Sequence, residues 1–243
     1  MTAAGPRSQL PLGISLAPGA TFDAYYPGAN GFAVGVLQAM AAGRGEPQTF
    51  VAAASGLGKS HLLQAACHAG GVRGARVAYL PLDAVSELSP EALEGLDQLD
   101  LVALDAVEAV LGEEAWERSL FVLINAARDA GTRLIFAARR PPAELTLGLP
   151  DLRSRLGWGP VLALEALSDE QKRDALEQRA AALGLGLPPA VSDYLLRHYP
   201  RDLAGQLDRL ATLDQASLAT GRRLTVPFVK EVLGESRTTN GSE

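Results

Sequence analysis

Cysteine is nearly absent from this 243-residue chain, where Cys67 stands alone. A single cysteine forms no intramolecular disulfide, which excludes a disulfide-stapled scaffold and fits a reducing cytoplasm. Histidine is scarce too. His61, His68 and His198 have no cysteines at ligand spacing, which argues against a zinc site. Long apolar runs are missing: none approaches the ~20 residues that a membrane span needs. The first residues lack the apolar core of a signal peptide. A cytoplasmic chain with no membrane partner is therefore expected. Positive charge is also in short supply, with 22 Lys and Arg against 28 Asp and Glu and a net charge of −6. That excludes the strongly basic footprint of an autonomous duplex-DNA binder, although local basic clusters remain compatible with it.

What is present is ordinary globular composition, 47% hydrophobic and 21% charged. The length suits one large domain or two small ones. The chain is organised around residues 49–68. A short apolar run (Phe50-Val51-Ala52-Ala53) breaks into Ser55-Gly56-Leu57-Gly58-Lys59-Ser60, and an apolar-periodic segment follows with Leu62, Leu63, Ala66 and Cys67. Strand, glycine loop and helix in that order form the context of a phosphate-binding loop. Gly56 and Gly58 let the backbone curl so that N–H groups point at phosphate oxygens. The helix N-terminus adds partial positive charge. Lys59 is expected on the outer phosphates, and the Ser60 hydroxyl on Mg²⁺. The candidate nucleotide-binding residues are Ser55, Gly56, Leu57, Gly58, Lys59, Ser60 and His61. The full pattern begins with glycine, where this chain has Ala53. Cys67 falls on the apolar face of the following helix and is expected in the core.

The flanking segments predict an α/β fold. A helix is expected over 31–42 with Phe32, Val36, Leu37 and Met40 on one side. Further strands are expected over 75–80, 99–105, 133–138 and 161–164. A helix-like stretch is expected over 90–96 and a long helix over 113–130. Alternating strands and helices imply a parallel sheet flanked by helices. After Glu165 only helices are expected, over 168–184, 188–198, 201–219 and 226–234, with Ser168 and Gln171 as a capping box. That makes a small helical lid.

Asp105 ends an apolar strand, the place of the carboxylate that helps hold Mg²⁺ in P-loop proteins. The next residue is Ala106, which cannot orient an attacking water as a second carboxylate does. Glu108, two positions on, would need an altered backbone path to substitute. Weak intrinsic hydrolysis, or none, is expected, and whether the chain is itself an enzyme stays open at this point. Two arginine sets are also notable. The segment 151–159 carries Arg153 and Arg155 and closes on Gly157-Trp158-Gly159. Arg201 starts a lid helix. Either could be a solvated arginine, complete a neighbour's site, or touch phosphates. Near the start, Gln9-Leu10-Pro11-Leu12 reads as an extended arm whose leucines either dock on a partner or tuck against the domain.

These residues together resemble the AAA+ ATPases of the DnaA kind, and most closely the Hda family, regulatory inactivators of DnaA. The resemblance runs from about residue 9 to about residue 234. It is carried by Gln9-Leu10-Pro11-Leu12, Thr21-Phe22, Pro27-Gly28, Asn30, Arg140-Pro141-Pro142, the 147–159 segment, Leu213-Asp214-Gln215-Ala216-Ser217 and the 224–230 segment. It implies that Gln9, Leu10 and Leu12 dock on the DNA polymerase sliding clamp. It implies that Asn30 lies on the adenine side, that Arg155 is an arginine finger acting in trans, and that Arg201 is a sensor-II contact to the nucleotide. Arg139 stands where the family's sensor-I acid is expected. The bound nucleotide implied is ADP, or ATP, with Mg²⁺ on Ser60 and Asp105.

The implied partners are DnaA, the clamp, a second copy in a homodimer, and DNA indirectly through the clamp. The implied function is negative regulation of replication initiation by stimulating DnaA-bound ATP hydrolysis. No DNA-binding helix-turn-helix is expected after the closing helices. The expected organisation is an arm over 1–18, a nucleotide-binding subdomain over 19–165, a lid over 166–235 and a tail over 236–243. The alternative is an autonomous ATPase acting on nucleic acid, such as a helicase loader or truncated initiator.

Overall fold

The computed structural model describes residues 16–17, 19–84, 89–200 and 202–234. Its centre is a five-stranded sheet of β1 (Gln48–Ala52), β2 (Val77–Pro81), β3 (Leu101–Asp105), β4 (Arg133–Ala138) and β5 (Val161–Ala163). The strand order is β2-β3-β4-β1-β5, and every pairing is parallel. β1 and β3 are buried along their whole length. Parallel strands covered on both faces read as unbroken apolar runs, which is why 101–105 and 133–138 were legible as strands. Pro81 closes β2, where an edge strand tolerates a missing N–H.

Alternating side chains feed two cores. Val51, Ala103, Ile135 and Ala137 pack against α1 (Gly31–Ala41) and α2 (Lys59–Val72). Phe50, Leu104, Phe136 and Ala138 face α3 (Glu114–Ala130) and α4 (Pro150–Leu156). Cys67 is fully buried, as expected, and its thiol donates to the Ala78 carbonyl at 3.4 Å. Burial pushes that thiol's pKa up to about 12.

Four helices follow the sheet: α5 (Asp169–Leu183), α6 (Pro189–His198), α7 (Leu203–Thr220) and α8 (Val226–Leu233). Both halves of the Ser168–Gln171 capping box are formed. Val191, Leu195, Leu213 and Phe228 anchor one lid core, and Leu176, Ala180 and Leu210 a second. Buried Gln206 ties α7 to the end of α6, donating to the Leu195 and Pro200 carbonyls at 3.1 and 2.8 Å.

Two expectations need correction. The 90–96 stretch is not one helix but two single turns, Pro90–Leu93 and Leu96–Gln98, because Gly95 turns left-handed between them at φ +76°. Phe32 is not on the buried side of α1. It is 77% exposed, and Ala33, Val34, Leu37, Met40 and Ala41 make the contact instead.

Candidate nucleotide site

The loop after β1 lies at the carboxyl edge of the sheet, where open parallel sheets bind ligands. Gly56 and Gly58 both take left-handed backbone angles, φ +80° and +86°. Gly58 has a second constraint: a Cβ there would come within 2.7 Å of the Tyr25 ring. Tyr25 thus lies against the loop, and its hydroxyl donates to the Leu57 carbonyl at 3.4 Å. α2 begins at Lys59. The Lys59 ammonium bends back to donate to the carbonyls of Ala53 and Ala54 at 2.7 and 3.1 Å. Burial pulls its pKa down. The carboxylates of Asp105 and Glu108 oppose that pull, and Arg139 adds to it.

Asp105, at the end of β3, is 4% exposed. One of its oxygens accepts the Ala106 N–H at 2.8 Å and the other accepts the Tyr79 hydroxyl at 3.0 Å. Burial raises the Tyr79 pKa first, and the Asp105 charge raises it further. The chain then kinks. Ala106 has φ +51°, the left-handed region that L side chains rarely adopt, and it is the sole non-glycine there among the described residues. A single turn, Val107–Ala109, follows and delivers Glu108 to the site. Glu108 Oε1 accepts the Arg139 main-chain N–H at 3.2 Å and lies 3.5 Å from its Nε.

Asn30 is buried and pins the junction between sheet and lid. It donates to the Glu165 carbonyl at 3.1 Å and accepts the Glu165 N–H at 2.8 Å. His61 Nε2 is 2.8 Å from the Thr21 carbonyl. On the lid side, Asp174 of α5 accepts the Tyr26 hydroxyl at 3.2 Å.

These residues enclose a cleft of about 900 Å³ between sheet edge and lid. Asn30, Ser55, Gly56, Leu57, Gly58, Lys59, Ser60, His61 and Asp105 all line it, together with Glu108 and Arg139. Arg201, expected at the same site, lies outside the described residues, as do Gln9, Leu10 and Leu12. Lys172, Ala175, Arg179 and Ala182 of α5 also line the cleft. They were not picked out from the sequence. Their 3–4–3 spacing, one helical face with two cations and two small residues, was the available signal.

Arg155 is outside the cleft. It is half-buried on α4. Its Nε donates to Asn125 Oδ1 at 3.1 Å, and its guanidinium lies 4.2 Å from the Trp158 ring centroid and 5.3 Å from that of Phe121. All three partners are neutral, and none lines the cleft. Two contacts with Gln48 fix the end of α4 and the connection after it. Gln48 Nε2 donates to the Arg155 and Leu156 carbonyls at 2.7 and 3.3 Å. Gly159 passes so close that a Cβ there would meet the Gln48 carbonyl oxygen at 1.8 Å.

A parallel sheet in this strand order, a Gly-Lys-Ser loop on β1, a strand-end aspartate on β3 and a helical lid over the cleft define a P-loop module of the AAA+ class. The comparisons with known proteins agree. The family model described as the bacterial DnaA ATPase domain matches residues 16–163, and the one described as the Hda lid domain matches residues 169–233. The chain belongs to the DnaA-related, Hda-like family of replication regulators.

Among solved structures it is similar to domain III of the Thermotoga maritima initiator DnaA. The TM-score is 0.74 and the identity 23%, over 90% of this chain and 98% of that one. AMPPCP-bound DnaA from Aquifex aeolicus matches at TM-score 0.69 and 24% identity, over 85% of this chain and 67% of that one. The Thermotoga maritima RuvB branch-migration motor matches at TM-score 0.62 and 14% identity, over 84% and 67%. Among the described residues, no helix is long and apolar enough to cross a membrane.

Proposed function

We propose that this chain holds an adenine nucleotide in the cleft and presents Arg155 to ATP bound by DnaA, converting the initiator to its ADP form. The observation that carries the reading is the state of Arg155. Arg155 is half-buried, steadied by Asn125, Phe121 and Trp158, and paired with no carboxylate among the described residues. An arginine committed to its own fold would be expected in an ion pair. One held against aromatic rings keeps its charge available to an outside phosphate. In split sites of this kind the finger is worth ~10³–10⁵ in rate.

The nucleotide-holding half rests on the P-loop residues Ser55 to His61 at the cleft and on the AMPPCP-bound relative. Lys59 and the loop N–H groups hold phosphates, and Asn30 acts through the Glu165 main chain to shape the base side. Arg201 completes the phosphate side. Ser60 and Asp105 offer two hard oxygens. That set suits Mg²⁺, which keeps waters and takes its remaining ligands from phosphate. ADP is the nucleotide the family resemblance implies, and Ala106, which puts no carboxylate directly after Asp105, agrees with a chain that holds nucleotide without needing to hydrolyse it.

Gln9, Leu10 and Leu12 dock on the sliding clamp, which brings the chain to DNA indirectly and places the activity in the cytoplasm. The subdomain boundary falls near residue 165, with an arm before residue 19 and a tail after 235. A second copy in a homodimer is a further proposed partner. The test is turnover of labelled ATP pre-bound to DnaA, with and without this protein and with and without clamp loaded on DNA. Acceleration only when both are present is expected. Equal turnover in every arm would overturn the reading.

A further inference from the structure

Ala106 removes the usual water-orienting carboxylate, yet the chain spends backbone strain at that same position. A left-handed alanine costs on the order of 1 kcal/mol and persists where surrounding structure enforces it. Here the kink has a definite product. It starts the turn Val107–Ala109 and brings Glu108 into the lining of the cleft. The carboxylate is close enough to the loop lysine to act on its charge alongside Asp105.

The two oxygens of Glu108 are not equivalent. Oε1 is occupied by Arg139, through the main-chain N–H at 3.2 Å and Nε at 3.5 Å. Oε2 is buried and has no hydrogen-bond partner. A buried acceptor left unsatisfied is costly and calls for an explanation in a native fold. The Arg139 side chain, by contrast, is 71% exposed, so its half of the pair can let go easily.

We infer that Glu108 is a relocated water-orienting carboxylate for the chain's own nucleoside triphosphate, and that Arg139 holds it in reserve. In the step it would serve, a water oxygen attacks the terminal phosphorus and forms a new P–O bond. The bond from that phosphorus to the bridging oxygen breaks, with its electron pair staying on the diphosphate. The proton lost by the water passes to Glu108 Oε2. With Arg139 in place, Oε1 is engaged and the carboxylate cannot turn towards the phosphates, so hydrolysis is slow. The same negative charge lines the cleft and acts on the loop lysine, and so weighs against a third phosphate.

This inference rests on the nucleotide-holding half of the proposed function. The experiment compares the full-length parent with Arg139→Ala, Glu108→Gln and the double variant, all without DnaA. Single-turnover hydrolysis of bound ATP should rise roughly two- to fivefold in Arg139→Ala, the range expected for releasing a largely exposed ion pair. It should fall below the parent in Glu108→Gln and in the double variant. Calorimetric affinities for ATP and ADP provide a readout independent of turnover. Glu108→Gln should shift the ATP-to-ADP preference towards ATP by roughly two- to fivefold, as removal of one nearby charge allows. No rise in Arg139→Ala, or an equal rise in the double variant, overturns the inference, as does an unchanged ATP-to-ADP ratio. Failure of the parent to bind either nucleotide would overturn the proposed function as well.

Discussion

Glu117, in the first turn of α3, accepts the main-chain N–H of Leu149 at 2.6 Å, and Leu149 is the residue that caps α4. The same carboxylate accepts the N–H groups of Gly148 at 3.0 Å and Gly112 at 2.8 Å. One side chain, 1% exposed, therefore joins the segment after β3 to the start of the Arg155 helix. Burial works to raise its pKa, but the three main-chain bonds together hold it below the ordinary glutamate value.

Replacing Glu117 by Gln should destabilise the fold by about 2 kcal/mol, because an amide cannot accept all three N–H groups. The pH dependence has a definite sign. A carboxylate with a depressed folded pKa contributes stability in full above its unfolded value of ~4.3 and loses it as pH falls from there through the folded value. Chemical denaturation from pH 6 down to pH 3 should show a steeper loss for the parent than for the variant. Parallel losses would remove Glu117 from this role.

Gly159 marks the tightest approach between the α4–β5 connection and β1. An alanine there would place its Cβ 1.8 Å from the Gln48 carbonyl oxygen and 2.6 Å from its carbonyl carbon, both main chain. Gly159→Ala should cost about 1–3 kcal/mol, in line with overpacking elsewhere. Gly186→Ala, which has open space around it, should stay within about 0.5 kcal/mol of the parent. Urea midpoints for the two variants are the check, and equal midpoints would contradict the packing argument.

Leu10 and Leu12 belong to the arm outside the described residues. If they insert in a clamp pocket, each contributes on the order of 1.5–3 kcal/mol before ordering costs. The double change to alanine should abolish capture on clamp-coated beads and leave the thermal midpoint unchanged. Capture at the parent level would make the arm a packing element.

The legible parts of this fold were those whose signal is local. Gly58-Lys59-Ser60 announces itself because loop, cation and hydroxyl must be consecutive. β4 was read to its observed ends because, after Arg133, the strand is apolar and buried without interruption. The less legible parts depend on distant partners. Glu117 looks like one more solvated acid on a helix until the loop at Gly148 arrives to meet it, although its spacing to Leu120 and Ile124 puts it on the buried face. Asn30 was assigned to the adenine side by resemblance, and its bonds to the main chain of Glu165, 135 residues away, had no local signal. The backbone kink at Ala106 could not be read from an alanine, which gives no sign of a left-handed angle. Phe32 was placed on one side of α1 with Val36, Leu37 and Met40, yet the packed face is made by Ala33, Val34, Leu37, Met40 and Ala41.

The central claim is that nucleotide holding and the completing charge belong to different chains. The direct measurement is decay of labelled ATP on DnaA, with clamp loaded on DNA, comparing the parent with Arg155→Ala at matched nucleotide occupancy. The account predicts that the variant, folded and nucleotide-bound like the parent, leaves DnaA at the rate it shows alone. Decay as fast as with the parent would contradict it.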